Sequence, residues 1–360
     1  MYEETKKKLL LEPSTWLITG VAGFIGSNLL EHLLKLNQRV VGIDNYSTGR
    51  KENLDEVCSL VEKKQWDNFI FIRGDIRNLK DCFSAMQWDP QSKDNGYVSS
   101  KIHNVEFVLH QAALGSVPRS IKDPIITNQC NVEGFLNLIV SARDTGVKRV
   151  VYASSSAVYG DSLRLPKVEH EIGKPLSPYA VSKYINELYA GVFLKNFDLK
   201  VTGLRYFNVF GKRQDPSGSY AAVIPKWINE MKNNKPVYIF GDGETSRDFC
   251  HIDNVVQANL LAAVSNEDQI FNIAFGHQTT LNELFIKIKQ VFYDYNLEYI
   301  HEPIHKQFRL GDINRSLADI SNARKFLGYN PTTSLEKGLN EVVFWNMKNS
   351  KLLENHEKGI

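Results

Sequence analysis

The sequence predicts an α/β protein: a doubly wound parallel sheet with a smaller α/β unit interleaved with it. From Trp16 onward, short apolar runs alternate with longer amphipathic segments, the rhythm of βαβ units whose strands are covered on both faces. A glycine-rich turn joins the first apolar run to the first amphipathic segment. After Gly211 the rhythm becomes irregular, as a second, smaller unit requires.

The elements follow in order. WLITG reads as the first strand, a helical pattern runs to Lys35, and RVVGID is the second strand. FIFIRGD, VEFVLHQAA, RVVYASS and KVTGLRYFNVFG repeat the strand signal, separated by helical stretches such as Asn131 to Thr145. Beyond Gly211 come a helix near Ala221 to Lys232, a short strand VYIFG, and amphipathic runs at Asp253 to Val264, Leu281 to Tyr293 and Ser321 to Leu327. The stretch from Trp88 to Lys101 is polar and rich in turn formers, so a surface loop is expected there. The sheet unit is assigned residues 1–211 and 253–274, the smaller unit 212–252 and 275–345, and a charged tail 346–360.

At 360 residues the chain has ample length for a core, and a soft prior of about two domains. Lys and Arg total 43 against 41 Asp and Glu, a net charge of +2 that offers no field for a nucleic acid or an anionic membrane. Cys58, Cys82, Cys130 and Cys250 are scattered, with no spacing for a disulfide framework or a zinc site. No apolar run approaches the roughly 18 residues of a membrane span, and the charged N-terminal stretch is unlike a signal peptide. A reducing, cytoplasmic setting is expected, with no metal.

Gly20-Val-Ala-Gly23-Phe24-Ile25-Gly26 follows the first strand and opens a helix. Glycines there permit a sharp turn, close approach of a pyrophosphate and tight helix–strand packing, while free N–H groups at the helix start bind anionic oxygens. Asp44 ends the next strand, about 20 residues on, where a carboxylate accepts from ribose hydroxyls. An acid there repels a 2′-phosphate, so the expected cofactor is NAD rather than NADP, with Arg50 the residue that argues the other way. Asn45, Asp75 and Ile76 at strand ends, and Gln111, Ala112 and Ala113 after the fourth strand, complete the expected cofactor contacts, with a helix cap the plain alternative for Asp75 and ordinary core the alternative for Ala112 and Ala113.

Tyr179 and Lys183 stand at i and i+4, on one face of a helix. A free tyrosine has a pKa of about 10, so acting as a base near neutrality demands a shift of roughly three units, about 4 kcal/mol, which a neighbouring ammonium helps to supply. Upstream, Ser154, Ser155 and Ser156 fall at the carboxyl end of a strand, where open α/β sheets place ligands. A serine-rich turn bonding only its own backbone is the plain alternative.

The glycine loop, Asp44, SSSAVYG, Tyr179-x-x-x-Lys183 and Arg205-Tyr-Phe-Asn208-Val-Phe-Gly211 together resemble the extended short-chain dehydrogenase/reductase family, over about residues 13 to 345. HQAALGSVPRSI, PLSPYAVSKYINELYA, RQDPSGSYAAVIPKW and GDGETSRDFCHID are similar to bacterial UDP-N-acetylhexosamine 4-epimerases that serve surface-polysaccharide synthesis. The resemblance implies a Rossmann domain binding NAD and a smaller lobe binding a UDP-sugar. It implies that Ser155, Tyr179 and Lys183 are catalytic. Ser156, Gly115 and Ser116 would face the sugar, while Asn208, Ala222, Tyr238, Arg247, Arg309 and Asp312 would hold the nucleotide. The alternatives are Arg247 paired with Asp248 as an ordinary ion pair, and Tyr238 as a plain strand aromatic. The resemblance also implies a homodimer through helices near Val132 to Thr145 and Lys183 to Leu194.

Two positions depart from the family pattern: Val158 replaces a threonine, and the Trp88 to Lys101 stretch resembles an insertion. In related dehydratases an Asp-Glu pair follows the catalytic threonine, and in decarboxylases a glutamate; here those positions are Ser156 and Ala157. Alanine carries no proton, so the resemblance implies C4 oxidation, rotation of the 4-keto sugar and hydride return. Ser316 resembles a gate position that a tyrosine narrows for plain hexoses, which favours interconversion of UDP-GlcNAc and UDP-GalNAc, or of their uronic acids. A UDP-glucose or UDP-glucuronate 4-epimerase is the alternative within the family, and an NAD-binding scaffold is the alternative outside catalysis. The intact Ser155, Tyr179 and Lys183 argue against the scaffold.

Overall fold

The computed structural model describes residues 1–90, 101–217, 221–308 and 315–357, with side chains as far as 348. The expected sheet is present, parallel throughout, with seven strands: β1 (Thr15–Thr19), β2 (Arg39–Asp44), β3 (Phe69–Arg73), β4 (Phe107–His110), β5 (Arg149–Ser155), β6 (Val201–Tyr206) and β7 (Ile270–Ile273). Their spatial order is β7-β6-β5-β4-β1-β2-β3. The chain therefore winds outward from β1 in one direction, then returns to build from β4 in the other. That reversal opens a crevice at the carboxyl ends of β1 and β4, the place where such sheets bind ligands.

The register is continuous across the switch: Ile18 pairs with Gly42 on one side and Leu109 on the other. β1 is buried along its whole length because helices cover both faces. One core packs Leu29, Leu30, Leu33 and Val255 against Ile18 and Val151, and another packs Phe135, Leu138 and Ile139 against Leu17 and Val108. A third apolar cluster gathers Phe210, Trp227, Ile239, Phe249, Leu284, Phe285 and Leu339. It joins helices Val223–Lys232, Leu281–Asp294 and Leu335–Glu357 around the short paired strands Tyr238–Phe240 and Ile304–Lys306.

Several expectations change. The segment from 346, expected as a tail, continues the helix Leu335–Glu357, which runs through the assigned boundary. The charged N-terminal stretch forms a helix, Tyr2–Leu11, whose Leu9 is buried in the first core. Periodicity gave no warning because its apolar surface is small. The expected loop from Trp88 to Lys101 lies outside the described residues at 91–100, but its ends are joined: Gln87–Trp88 pairs antiparallel with His103–Asn104. No helix among the described residues is long and apolar enough to cross a membrane.

Candidate active site

The glycine turn sits at the switch point. Gly20 has φ +68°, and a Cβ there would lie 2.9 Å from the backbone of Ala112. A Cβ on Gly26 would lie only 2.1 Å from the Gly20 carbonyl oxygen. Both positions thus require glycine, one for conformation and contact, the other so that the helix Phe24–Lys35 seats against the turn. Gly23 is the N-cap of that helix, and neither a capping side chain nor an acidic residue occupies its first turn. The amides around Phe24 and Ile25 are therefore the positive end of a helix dipole available to an anion.

One cavity brings Gly20, Asp44, Asn45, Asp75, Ile76, Ala112 and Ala113 together. Ser47, Thr48 and Cys130 also line it, and no motif pointed to them. Asp44 is buried, and its carboxylate accepts from the amides of Ala22 (3.0 Å) and Tyr46 (2.8 Å). Burial raises its pKa, while these amide bonds oppose the shift. A carboxylate has about four acceptor sites, so two amides leave capacity for ribose hydroxyls. Asp75 is clamped by Arg77 at 2.6 Å and accepts from Asn45 at 2.9 Å; the Arg77 bond brings its pKa down to about 2. Arg50, the residue that argued for NADP, pairs with Asp215 at 3.6 Å. Gln111 lines neither described cleft with its amide group; its Nε2 donates to Asn259 at 3.1 Å, beneath the turn. A dinucleotide with a free ribose diol fits this cradle.

At the carboxyl end of β5 the three serines diverge. Ser154 points away from the crevice and donates to Glu187 at 2.6 Å, so it is not one of the hydroxyls offered to a ligand. Glu187 in turn holds Arg205 through two bonds of 2.8 and 2.7 Å. Alternation along the strand turns Ser155 to the opposite side, where its hydroxyl accepts from the Ala157 amide at 3.1 Å and lies close enough to Tyr179 to influence its ionisation. Ser156 begins the 3₁₀ turn Ser156–Tyr159 beside it. Val158, the departure from the family pattern, is fully buried in the core rather than facing the site.

Tyr179 enters on the helix Pro178–Phe197, capped by Ser177. Burial raises its pKa, and the Ser155 hydrogen bond pulls the other way. Lys183, one turn on, is 2% exposed; burial lowers its pKa to about 8, and its ammonium donates to the Ala153 carbonyl at 2.8 Å. The lysine is thereby fixed between the helix and β5. Asn131, in the turn before helix Gly134–Asp144, braces the same region by bonding Leu114 and Ser182.

A second cleft collects Asn208, Ala222, Tyr238 and Arg247, four residues spread over 40 positions of sequence. Lys226, Trp227, Phe240, Phe249 and Leu281 also line it, and only their helix and strand patterns were visible in the sequence. Arg247 and Asp248 do not form the simple pair considered as an alternative, because the Asp248 carboxylate accepts from the backbone amides of Phe275, Gly276 and Ala318. Ser316 lies beside this cleft, its amide bonded to Ser246 at 3.1 Å. Arg309 and Asp312 lie outside the described residues. Gly115 is exposed, and the Ser116 hydroxyl accepts from Arg119 to cap the helix Val117–Lys122.

The model of the NAD dependent epimerase/dehydratase family aligns with residues 16–274. The chain belongs to this family. A putative UDP-glucose 4-epimerase of Methanocaldococcus jannaschii is 36% identical, over 93% of this chain and 98% of that protein. Among solved structures, a UDP-N-acetylglucosamine 4-epimerase from Methanobrevibacter ruminantium M1 in complex with UDP-N-acetylmuramic acid superposes with a TM-score of 0.83 at 35% identity, covering 94% of this chain and 99% of that one. A UDP-glucuronic acid 4-epimerase from Bacillus cereus, in complex with UDP-glucuronic acid and NAD, gives 0.77 at 29% identity, covering 93% and 99%. NAD is the cofactor of this family member. These three relatives are named for three different UDP-sugars, so membership by itself does not select one.

Proposed function

We propose that this chain is a UDP-sugar 4-epimerase that interconverts UDP-GlcNAc and UDP-GalNAc, for the making of surface-polysaccharide precursors. The observation that carries the reaction type is Ser155 at the carboxyl end of β5 beside Tyr179, with Lys183 fixed one helical turn on by its bond to the Ala153 carbonyl. Bound NAD supplies the acceptor, and then the donor, of the C4 hydride. The polypeptide does the rest. Gly20, Gly23, Phe24, Ile25 and Gly26 hold the pyrophosphate, Asp44 the ribose, and Asn45, Asp75, Ile76, Ala112 and Ala113 shape the remainder of the cradle, with Gln111 bonded to Asn259 outside its lining. Tyr179 takes the proton of the C4 hydroxyl, Ser155 orients that oxygen, and the Lys183 ammonium favours the phenolate. After the 4-keto sugar turns about its bond to the phosphate, the opposite face of C4 is presented for return of the hydride, and Tyr179 gives its proton back to the C4 oxygen. Ala157, which has no proton to give, supports epimerisation over loss of water across C5 and C6.

In this reading Asn208, Ala222, Tyr238 and Arg247 hold the UDP, with Arg309 and Asp312 as further nucleotide contacts. Ser156, Gly115 and Ser116 line the sugar. A guanidinium fork suits a pyrophosphate. The serine at 316, rather than a bulky side chain, supports the choice of an N-acetylated sugar. We divide the chain accordingly into an NAD-binding unit, 1–211 with 253–274, and a nucleotide-sugar lobe, 212–252 with 275 onward. A homodimer is part of the proposal, supported by exposed Val181, Leu188 and Val192 on the helix Pro178–Phe197 and by Ile121 and Ile125 next to it. The exposed apolar residues lie on Val117–Asn128 rather than on Gly134–Asp144, which shifts the expected surface toward the N-terminus.

Incubation with UDP-GlcNAc, UDP-Glc and UDP-GlcNAcA, read by proton NMR for the axial C4 epimer, tests reaction and sugar together. UDP-GlcNAc is expected to be turned over best. Tyr179→Phe should lose at least about a thousandfold in kcat while still carrying NAD. Full turnover by that variant would overturn the assignment of the base. Light scattering at micromolar concentration should give the mass of two chains.

A further inference from the structure

Asp248 is fully buried on the strand Ser246–Asp248, next to Arg247. A buried carboxylate is costly unless donors take up its oxygens. Its Oδ1 accepts from the amides of Phe275 and Gly276, both at 3.1 Å. Its Oδ2 accepts from Gly276 and from Ala318, both at 3.2 Å. One side chain therefore fastens two segments, distant in sequence, to the strand that carries Arg247.

The position of those segments gives the contact its meaning. Ala318 is two residues from Ser316, whose own amide bonds Ser246 at 3.1 Å, and Leu317 accepts from the Lys167 amide at 2.8 Å. On the other side, the Asn208 amide group donates to the Asp248 carbonyl at 3.2 Å. Asp248 thus stands behind Asn208 and Arg247 of the nucleotide cleft and behind the segment of Ser316, touching all three regions without lining the cleft itself.

We propose that Asp248 is a positioning residue whose carboxylate fixes the Ser316 segment against the Arg247 strand, and so sets both nucleotide affinity and the fit of the C2 substituent. The inference rests on the reading of the cleft as a UDP-sugar site. A carboxylate offers acceptors on both oxygens, whereas an asparagine turns a donor toward either Ala318 or the Phe275–Gly276 pair. Asp248→Asn therefore sets N–H against N–H in a buried place. Ala318→Pro removes the donor that ties the Ser316 segment to Oδ2, leaving the Gly276 amide and the carboxylate in place.

The test uses the NAD-loaded wild type, Asp248→Asn and Ala318→Pro. Titration with UDP gives nucleotide affinity, and kcat and KM are measured on UDP-GlcNAc and UDP-Glc. Asp248→Asn should keep its NAD and a kcat within about threefold, weaken UDP binding about tenfold, and change the GlcNAc-to-Glc ratio of kcat/KM at least about fivefold. Ala318→Pro should change that ratio in the same direction. UDP affinity and ratio within twofold of wild type in both variants would overturn the proposal, as would loss of NAD and kcat with KM unchanged, or failure of both variants to fold. If the wild type epimerises neither sugar, the functional reading fails, and the UDP titration still decides the role of Asp248.

Discussion

The two clefts of this protein are built in opposite ways. The cofactor cradle is made of backbone: a turn, a helix start and strand ends, with glycines at positions where a Cβ would strike another main chain. The second cleft is made of side chains, with Trp227, Tyr238, Phe249 and Arg247 reaching in from separate elements. A site made of backbone is intolerant at a few points and is written as a contiguous motif. A site made of side chains spreads its energy over many residues and leaves only scattered traces in the sequence.

The sharpest way to break that contrast is Gly26→Ala. Its new Cβ would meet the Gly20 carbonyl at 2.1 Å, and backbone cannot step aside as a side chain can. Loss of bound NAD and a destabilisation of about 3 kcal/mol are expected, read by nucleotide absorbance and urea unfolding. Retained NAD and stability would show that the turn is not the rigid element described here.

Arg247→Ala probes the other side. It should raise KM for the UDP-sugar roughly 30- to 150-fold, the range for a lost charge-assisted contact of about 2–3 kcal/mol, while NAD content stays at the wild-type level. A loss of NAD with it would mean that the two clefts are not separable in the way their construction suggests.

A pH profile reaches the group between the clefts. Burial lowers the Lys183 pKa to about 8, so its charge, and with it the support for the Tyr179 phenolate, should disappear as pH rises through that value. kcat is expected to fall on the basic side near pH 8 at constant NAD content. For stability the sign is opposite. The folded protein releases this proton before the unfolded chain does, so stability associated with Lys183 grows as pH rises from about 8 toward the ordinary lysine value of 10.5.

The smallest effect belongs to Lys306, whose ammonium sits 3.7 Å from the centre of the Tyr238 ring. Lys306→Met removes a cation–π contact of about 0.5–1 kcal/mol at the wall of the side-chain cleft. UDP affinity should change by no more than about fivefold, measured by calorimetry. A larger loss would make this wall as intolerant as the glycine turn.

The same contrast explains what could be read in advance. Gly20, Gly26, Asp44, Tyr179 and Lys183 were legible because backbone geometry and helical spacing act over a few residues. Lys226, Trp227 and Phe249 were not, since a tryptophan at helical period looks the same whether it lines a cleft or fills a core. The fate of Ser154 was equally hidden: its partner Glu187 lies 33 residues away, and only strand pleat and helix packing decide which of three adjacent serines faces the crevice.

The sequence by itself determined the parallel sheet, the glycine turn at its switch point and the tyrosine–lysine pair, because hydrophobic period, turn chemistry and i, i+4 spacing are local. Only the tertiary structure decided that Asp248 turns from Arg247 to the amides of Phe275, Gly276 and Ala318, that Arg50 goes to Asp215, and that the charged ends of the chain are helices. Those outcomes depend on which surfaces remain to be covered once the sheet has formed, and a buried charge takes whatever donors the packed chain brings to it.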